Sequence, residues 1–184
     1  MKDKINRRQF FSLNLGTTVS FLENLLVSQI EHDLERDFFR PPGTENELDF
    51  LTSCDRCGLC KENCPEEIIK LFTPSAGAKL VSTPYINPNE SPCTFCYKCA
   101  EVCPTGALQH EVTEKIGLAE LDKQKCLAYQ DVLCNYCVYA CPVKGAIHLN
   151  YGRPVVNQEY CTGCGVCVSN CIAEVKGIHI TLQN

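Results

Sequence analysis

Sixteen cysteines are the feature that most constrains this chain of 184 residues. They fall into four groups, and within three of these groups neighbouring cysteines lie three or four positions apart. Such a density in a short chain normally indicates a secreted disulfide scaffold. Sulfurs this close in sequence are poorly placed for bridges of normal geometry, but they can converge on one compact metal centre. We therefore interpret each group as a metal-binding loop.

Groups one, two and four share the spacing Cys-x2-Cys-x2-Cys-x3-Cys. Their members are Cys54, Cys57, Cys60 and Cys64; Cys93, Cys96, Cys99 and Cys103; and Cys161, Cys164, Cys167 and Cys171. A proline follows groups one and two, which completes the bacterial ferredoxin signature for 4Fe–4S clusters. Zinc sites usually show two cysteine or histidine pairs separated by a long gap. The spacing therefore predicts that all these cysteines bind the iron of 4Fe–4S clusters.

The third group departs from this spacing at its first step. Cys134, Cys137 and Cys141, with Pro142 after them, supply the second, third and fourth positions, whereas Cys126 lies much earlier. The intervening loop, 127–133, can return to the cluster at modest entropic cost. The alternative is that Cys126 is free and simply buried. We expect Cys126 to be a ligand, which gives the chain four clusters.

The cysteine groups and the segments between them predict an α+β fold of tandem bacterial 2[4Fe-4S] ferredoxin-like units. Residues 44–184 form this cysteine-rich region, and stretches 117–122, 153–157 and 177–182 are typical of short strands. Two pairings of the motifs are possible. In the first, group one pairs with group two and group three pairs with group four. In the second, group two pairs with group three, and this pair is enclosed between groups one and four. Because little apolar core is available, we expect the clusters to supply much of the folding free energy.

Residues 1–43 form a different, N-terminal segment. It carries an early twin-arginine motif, Arg7-Arg8, followed by apolar residues spaced by three or four positions. That period predicts a long amphipathic helix, whose apolar face comprises Leu15, Val19, Leu22, Leu26, Ile30, Leu34 and Phe38. No A-x-A cleavage site appears, so we favour a surface helix over a cleaved export signal. This helix could pack on the cluster region or dock a partner protein, and the sequence does not distinguish these two roles.

Several function classes are disfavoured by composition. The formal net charge is -5 and no basic stripe is present, which argues against nucleic-acid binding. No apolar run of membrane-spanning length occurs, so we expect no transmembrane span. No nucleophile-and-base arrangement predicts catalysis. We therefore expect an electron carrier and not an enzyme.

The chain resembles the NapF family of ferredoxin-type proteins from periplasmic nitrate reductase systems. The likeness runs from about Arg40 to the C-terminus and is carried by Arg40-Pro41-Pro42, by the stretch 50–57, by the compact second group, and by the displaced Cys126. It departs from the family at Ile172, where the usual residue is proline. The resemblance implies a cytoplasmic iron–sulfur protein that assists maturation of the molybdenum-containing catalytic subunit, NapA, before export. It would do so by supplying electrons or by helping NapA's own cluster to assemble.

Two alternatives remain open beside this interpretation. One is a NapG-like, periplasmic electron-transfer component of a quinol dehydrogenase, exported through the twin-arginine motif. NapG-like chains usually widen the second motif by two residues, and the compact spacing of Cys96 and Cys99 favours NapF. The other alternative is an interaction module stabilised by zinc.

Overall fold

The structure is a computed structural model, and it describes residues 37–110 and 115–182. The twin-arginine motif and all but the last two residues of the predicted N-terminal helix lie outside these residues, so both remain predictions. The proposed division at residue 43 also remains a prediction. In the described part, every helix is too short or too polar to cross a membrane.

Short helices and strands alternate along the chain, as expected for an α+β protein built around cysteine loops. In order they are α1 (Glu47–Ser53), α2 (Leu59–Glu62), β1 (Lys70–Leu71), β2 (Pro84–Tyr85), α3 (Lys98–Glu101), β3 (Leu118–Leu121), α4 (Tyr136–Ala140), β4 (Ile147–Asn150), β5 (Arg153–Val156), α5 (Val166–Ser169) and β6 (Ile178–Thr181). Single 3-10 turns lie at Pro74–Ala76 and Leu127–Gln130. The three strands predicted from the sequence appear as β3, β5 and β6.

The strands pair into three antiparallel ribbons, β1 with β2, β3 with β6, and β4 with β5. The last pair is a hairpin turned by Tyr151 and Gly152, both of positive φ, as a two-residue turn of this kind requires. The β3–β6 ribbon places Leu118 opposite Thr181 and therefore encloses groups three and four in one unit. Groups one and two lie together ahead of it. Of the two pairings left open by the sequence, the structure has one with two and three with four.

The core of this region is small and is built largely around cysteine. Phe50, Ile86 and Ile178 are its most buried large side chains, each at most 2% exposed. They pack in one cluster with the third cysteine of every group. Burial of apolar surface thus occurs next to the candidate ligands, which agrees with a fold that depends on its metal centres.

The two halves of the described region are joined by backbone packing. The side-chain amide of Asn89, in the first half, donates to the carbonyl of Ile180 at 2.9 Å and accepts from its N–H at 2.7 Å. Gly165 lies so close to Pro88 that a Cβ atom would meet its carbonyl oxygen at 2.1 Å. At the centre of the contact, the N–H of Cys93 donates to the carbonyl of Cys164 at 2.8 Å.

Candidate metal centres

The third cysteine of each group lies in a short helix and is buried: Cys60 in α2, Cys99 in α3, Cys137 in α4 and Cys167 in α5. In the three regular groups, two residues of positive φ shape the loop that leads to this helix. They are Arg56 and Gly58, Phe95 and Tyr97, and Gly163 and Gly165. Left-handed backbone costs a residue other than glycine about 1 kcal/mol or more. The loops of groups one and two therefore contain residues other than glycine, Arg56, Phe95 and Tyr97, in a left-handed conformation that their side chains disfavour.

The third group reaches its helix by a different path. Asn135, which precedes α4, has a φ of −144°, whereas the corresponding residues of the other groups are left-handed. The longer first step instead forms the 3-10 turn Leu127–Gln130, which Asp131 ends with a φ of 60°. The N–H of Val132 then donates to the carbonyl of Leu127 at 3.1 Å. These contacts fold the loop back toward Cys126.

Cys126, 8% exposed, lines one cavity together with Cys134, Cys137 and Cys171. The cavity measures about 330 Å³, counting the part open to solvent. Three of its four cysteines come from group three, and the last is the fourth cysteine of group four. The structure thus places Cys126 beside the other cysteines of group three, and its role as an iron ligand remains a prediction.

A second cavity of about 340 Å³ is lined by Cys93, Cys96 and Cys99 of group two and by Cys64, the fourth cysteine of group one. The two other sets are assigned by the reciprocal exchange expected for paired motifs. The thiol of Cys103 lies close enough to those of Cys54, Cys57 and Cys60 for their charges to interact, and the thiol of Cys141 is similarly close to those of Cys161, Cys164 and Cys167.

The sixteen cysteines therefore form four sets, each closed by a cysteine from the partner motif. The first set is Cys54, Cys57, Cys60 and Cys103; the second is Cys93, Cys96, Cys99 and Cys64; the third is Cys126, Cys134, Cys137 and Cys171; the fourth is Cys161, Cys164, Cys167 and Cys141. This exchange is the arrangement expected when two cluster motifs form one ferredoxin unit.

The donor chemistry of these sets fits a 4Fe–4S cluster. Each set offers four thiols, the number that a cubane needs to take one thiolate on each iron. Across residues 37–110 and 115–182, no three Cys, His, Asp or Glu side chains lie close enough to share a single ion. A tetrahedral zinc site would need its sulfurs about 2.3 Å from one point. The wider arrangement around a cavity suits the cluster.

Burial acts against the charged form of several of these thiols. It raises the pKa of Cys60, Cys93 and Cys137 to about 11 and that of Cys99 to about 12. In the metal-free fold these cysteines are therefore protonated at neutral pH, and iron binding has to release their protons.

Cys103 is the exception among these thiols. Burial alone would raise its pKa, but the N–H groups of Leu108, Thr105 and Ala107 and the Thr105 hydroxyl outweigh burial and lower it. These donors follow the cysteine directly in the chain and stabilise its thiolate. The fourth cysteine of group two is thus prepared for ligation of the first set.

The sets lie in a row and differ in exposure. The Cys93–Cys164 hydrogen bond joins the second set to the fourth, so the order is first, second, fourth, third. Cys57 and Cys96 are exposed, whereas three cysteines of the fourth set are buried. The first half therefore brings ligands to the surface, and the inner part of the second half shields them.

One buried charged pair beside the first set was not predicted from the sequence. Arg40 entered only through the Arg40-Pro41-Pro42 likeness to the NapF family, and Glu47 was given no role. In the structure Arg40 is 3% exposed and Glu47 is 8% exposed, and the two side chains form an ion pair at 2.6 Å. An arginine seven positions before a glutamate, with two prolines between them, was the available signal.

Comparison with known families supports the pairing of the motifs. Two family models, each described as a 4Fe-4S dicluster domain, match the chain, one at residues 53–107 and the other at residues 118–172. The first match spans groups one and two and the second spans groups three and four. The chain thus has two dicluster domains, with room for up to four 4Fe–4S clusters.

Similar proteins come from two systems. The chain is 38% identical over 160 residues to the ferredoxin-type protein NapG of Escherichia coli (strain K12), covering 77% of this chain and 69% of that protein. It is 41% identical over 157 residues to the methylamine utilization ferredoxin-type protein MauM of Paracoccus denitrificans (strain Pd 1222), with 77% and 70% covered. Identity to the ferredoxin-type protein NapF of Escherichia coli (strain K12) is 33% over 140 residues, with 72% and 79% covered.

Proposed function

Because this chain belongs to the ferredoxin-type family of Nap and Mau iron–sulfur electron-transfer proteins, we propose that it is a maturation accessory of a periplasmic nitrate reductase. In this proposal it is cytoplasmic and binds the precursor of the molybdenum-containing catalytic subunit, NapA, before export. It supplies that subunit with electrons or helps its cluster to assemble. The NapF-like residues from Arg40 onward and the similarity over 79% of NapF support the assignment.

The row of four ligand sets is the observation that carries the electron-transfer part of this function. The clusters, when bound, exchange single electrons between thiolate-ligated states. The chain's own contribution is to hold the four sets side by side, with the Cys93–Cys164 hydrogen bond fixing the contact between the two domains. Exposed Cys57 and Cys96 bring the first two sets to a surface where a partner protein can approach.

The maturation role is tested by anaerobic co-purification. Tagged chain is used to capture NapA from cell extract, with leader-bearing precursor and leaderless mature NapA as paired targets. We expect the precursor to be retained and the mature form to be lost on washing. Equal retention of both forms, or of neither, would contradict a role before export.

A NapG-like periplasmic electron carrier is the second candidate, and it is favoured by 38% identity over 160 residues and by Arg7-Arg8. Cell fractionation separates the two candidates. A full-length protein confined to the cytoplasm agrees with the maturation role. A shortened form in the periplasm, abolished by Arg7→Lys/Arg8→Lys, supports the second candidate instead.

A further inference from the structure

Arg40 is a buried cation whose hydrogen bonds all go to protein groups around it in the first domain. Its Nε donates to Oε2 of Glu47 at 3.1 Å and its Nη2 donates to Oε1 of the same carboxylate at 2.6 Å. This two-point contact fixes the relative orientation of the two side chains as well as joining their charges. The side chains of Arg40 and Glu47 are only 2% and 7% exposed.

The remaining face of the guanidinium is held by the start of β2 and by aromatic rings. Nη1 donates to the hydroxyl of Thr83 at 2.9 Å and also to the carbonyl of Pro84. The guanidinium carbon lies 4.6 Å from the ring centre of Phe38 and 4.5 Å from that of Phe50. An ion pair buried this completely contributes little net stability compared with apolar residues of the same volume. Its presence therefore calls for a role other than general stabilisation.

The position of the pair connects it to the first ligand set. Glu47 is the first residue of α1 and Phe50 lies in the middle of that helix. The helix ends at Ser53, and the next residue, Cys54, caps it by donating its N–H to the carbonyl of Phe50 at 2.9 Å. Arg40 thus contacts α1 at two points, seven and four residues before the first candidate ligand.

The same arginine also braces the chain that follows group one. Thr83, which is fully buried, accepts from Arg40 and donates to the carbonyl of Leu80 at 2.7 Å. Its own carbonyl accepts from the N–H of Phe72 at 3.1 Å, next to β1. Arg40 therefore contacts both the helix before the group-one loop, through Glu47, and the chain after that loop, through Thr83.

We propose that Arg40 and Glu47 are positioning residues for the first ligand set and that their charges set the reduction potential of the cluster held there. Arg40 lies close to this set, because its guanidinium carbon is 4.5 Å from the ring centre of Phe50, whose carbonyl accepts from the N–H of Cys54 at 2.9 Å. A charge acts more strongly at a buried site than in water, since the effective dielectric constant is lower. Net charge around a cluster is one of the determinants of its potential.

The two members of the pair have opposite expected effects. Reduction adds one negative charge, so a neighbouring cation stabilises the reduced form. Arg40→Gln removes that cation and lowers the potential of the first cluster. Glu47→Gln leaves the cation without its counter-charge and raises the potential. The double variant restores neutrality and returns the potential toward that of the unchanged protein.

The test is an anaerobic redox titration of the holoprotein followed by electron paramagnetic resonance, with iron and sulfide measured in parallel. Lys70→Gln and Glu90→Gln provide a matched control, because this pair is close in the same domain but about half exposed, at 51% and 57%. Solvent screens such a surface pair, so neither control variant is expected to move a potential.

Opposite shifts in the two single variants, with near-cancellation in the double variant, support the proposal. Unchanged potentials at full iron content, or shifts in the same direction, overturn it. If Arg40→Gln fails to retain the first cluster, Arg40→Lys takes its place, because lysine keeps the positive charge but loses the two-point contact. A lowered potential in Arg40→Lys, opposite to the raised potential of Glu47→Gln, would also overturn the proposal, because the charge is still present. The inference requires that the chain binds clusters, but it does not depend on which partner protein the chain has. The role of Arg40 and Glu47 can therefore fail its test while the maturation role passes, and the maturation role can fail while the role of this pair passes.

Discussion

At the scale of single residues, Cys126 illustrates what local spacing can and cannot predict. The repeated Cys-x2-Cys pattern identifies fifteen of the cysteines by position, but Cys126 follows no repeat and its placement depends on how loop 127–133 folds. The structure brings it to the wall of the third set through a 3-10 turn and a hydrogen bond from Val132 to Leu127. Glu47 was not foreseen at all, because its partner Arg40 is recognised only once the chain is folded.

We predict that Cys126→Ala lowers the iron and sulfide content of the anaerobically purified protein by about a quarter, because one of four sets loses a thiolate. Leu133→Ser is the matched control, since this residue lies in the same loop but its side chain is fully exposed. It should leave the iron content unchanged. Full iron in the Cys126 variant would show that this cysteine is not a ligand.

At the scale of elements, the cysteine loops and the short helices after them form a repeated unit whose backbone the sequence only partly reveals. In group four, Gly163 and Gly165 indicate left-handed backbone already in the sequence. In groups one and two, residues other than glycine have positive φ as well, namely Arg56, Phe95 and Tyr97. A pattern search for glycine overlooks these residues because their conformation is imposed by the surrounding loop. The strands were easier to predict, as alternation and β-branched residues are local signals.

Exchange of the fourth cysteine between motifs is tested by paired double variants. If Cys103 closes the first set, Cys54→Ala/Cys103→Ala damages one set and lowers the iron content by about a quarter. Cys54→Ala/Cys64→Ala then damages two sets and lowers it by about half. The two double variants remove the same number of thiols and differ only in which sets they affect. The reverse order of iron contents would mean that each motif keeps its own fourth cysteine.

At the scale of the whole molecule, the order of the sets depends on contacts between distant parts of the chain. β3 pairs with β6 across more than fifty residues, and the Cys93–Cys164 hydrogen bond joins loops from different domains. Neither contact leaves a trace in local spacing, which is why the pairing of motifs stayed open at the level of sequence. The family matches at 53–107 and 118–172 agree with the pairing that these contacts produce.

Gly165→Ala is predicted to weaken the joint between the domains. The new Cβ would meet the carbonyl oxygen of Pro88, and overpacking of this kind costs about 1–3 kcal/mol. Gly152→Ala is the matched control, because Gly152 has a similar positive φ, 79° against 82°, and a Cβ atom there would have no neighbour within 4 Å. We expect cluster absorbance in denaturant to decay roughly tenfold faster in Gly165→Ala than in Gly152→Ala. Equal decay rates would mean that the close approach to Pro88 has no effect on stability.

The exchange of fourth cysteines also determines when each centre can be completed during synthesis of the protein. The first set gains its last ligand only after Cys103 has left the ribosome, and the third set waits for Cys171. A nascent chain that has reached residue 92 therefore carries four cysteines of group one but no complete site. Neither pair of sets can therefore be complete before almost the whole of its own ferredoxin unit has been synthesised, at Cys103 for the first unit and at Cys171 for the second.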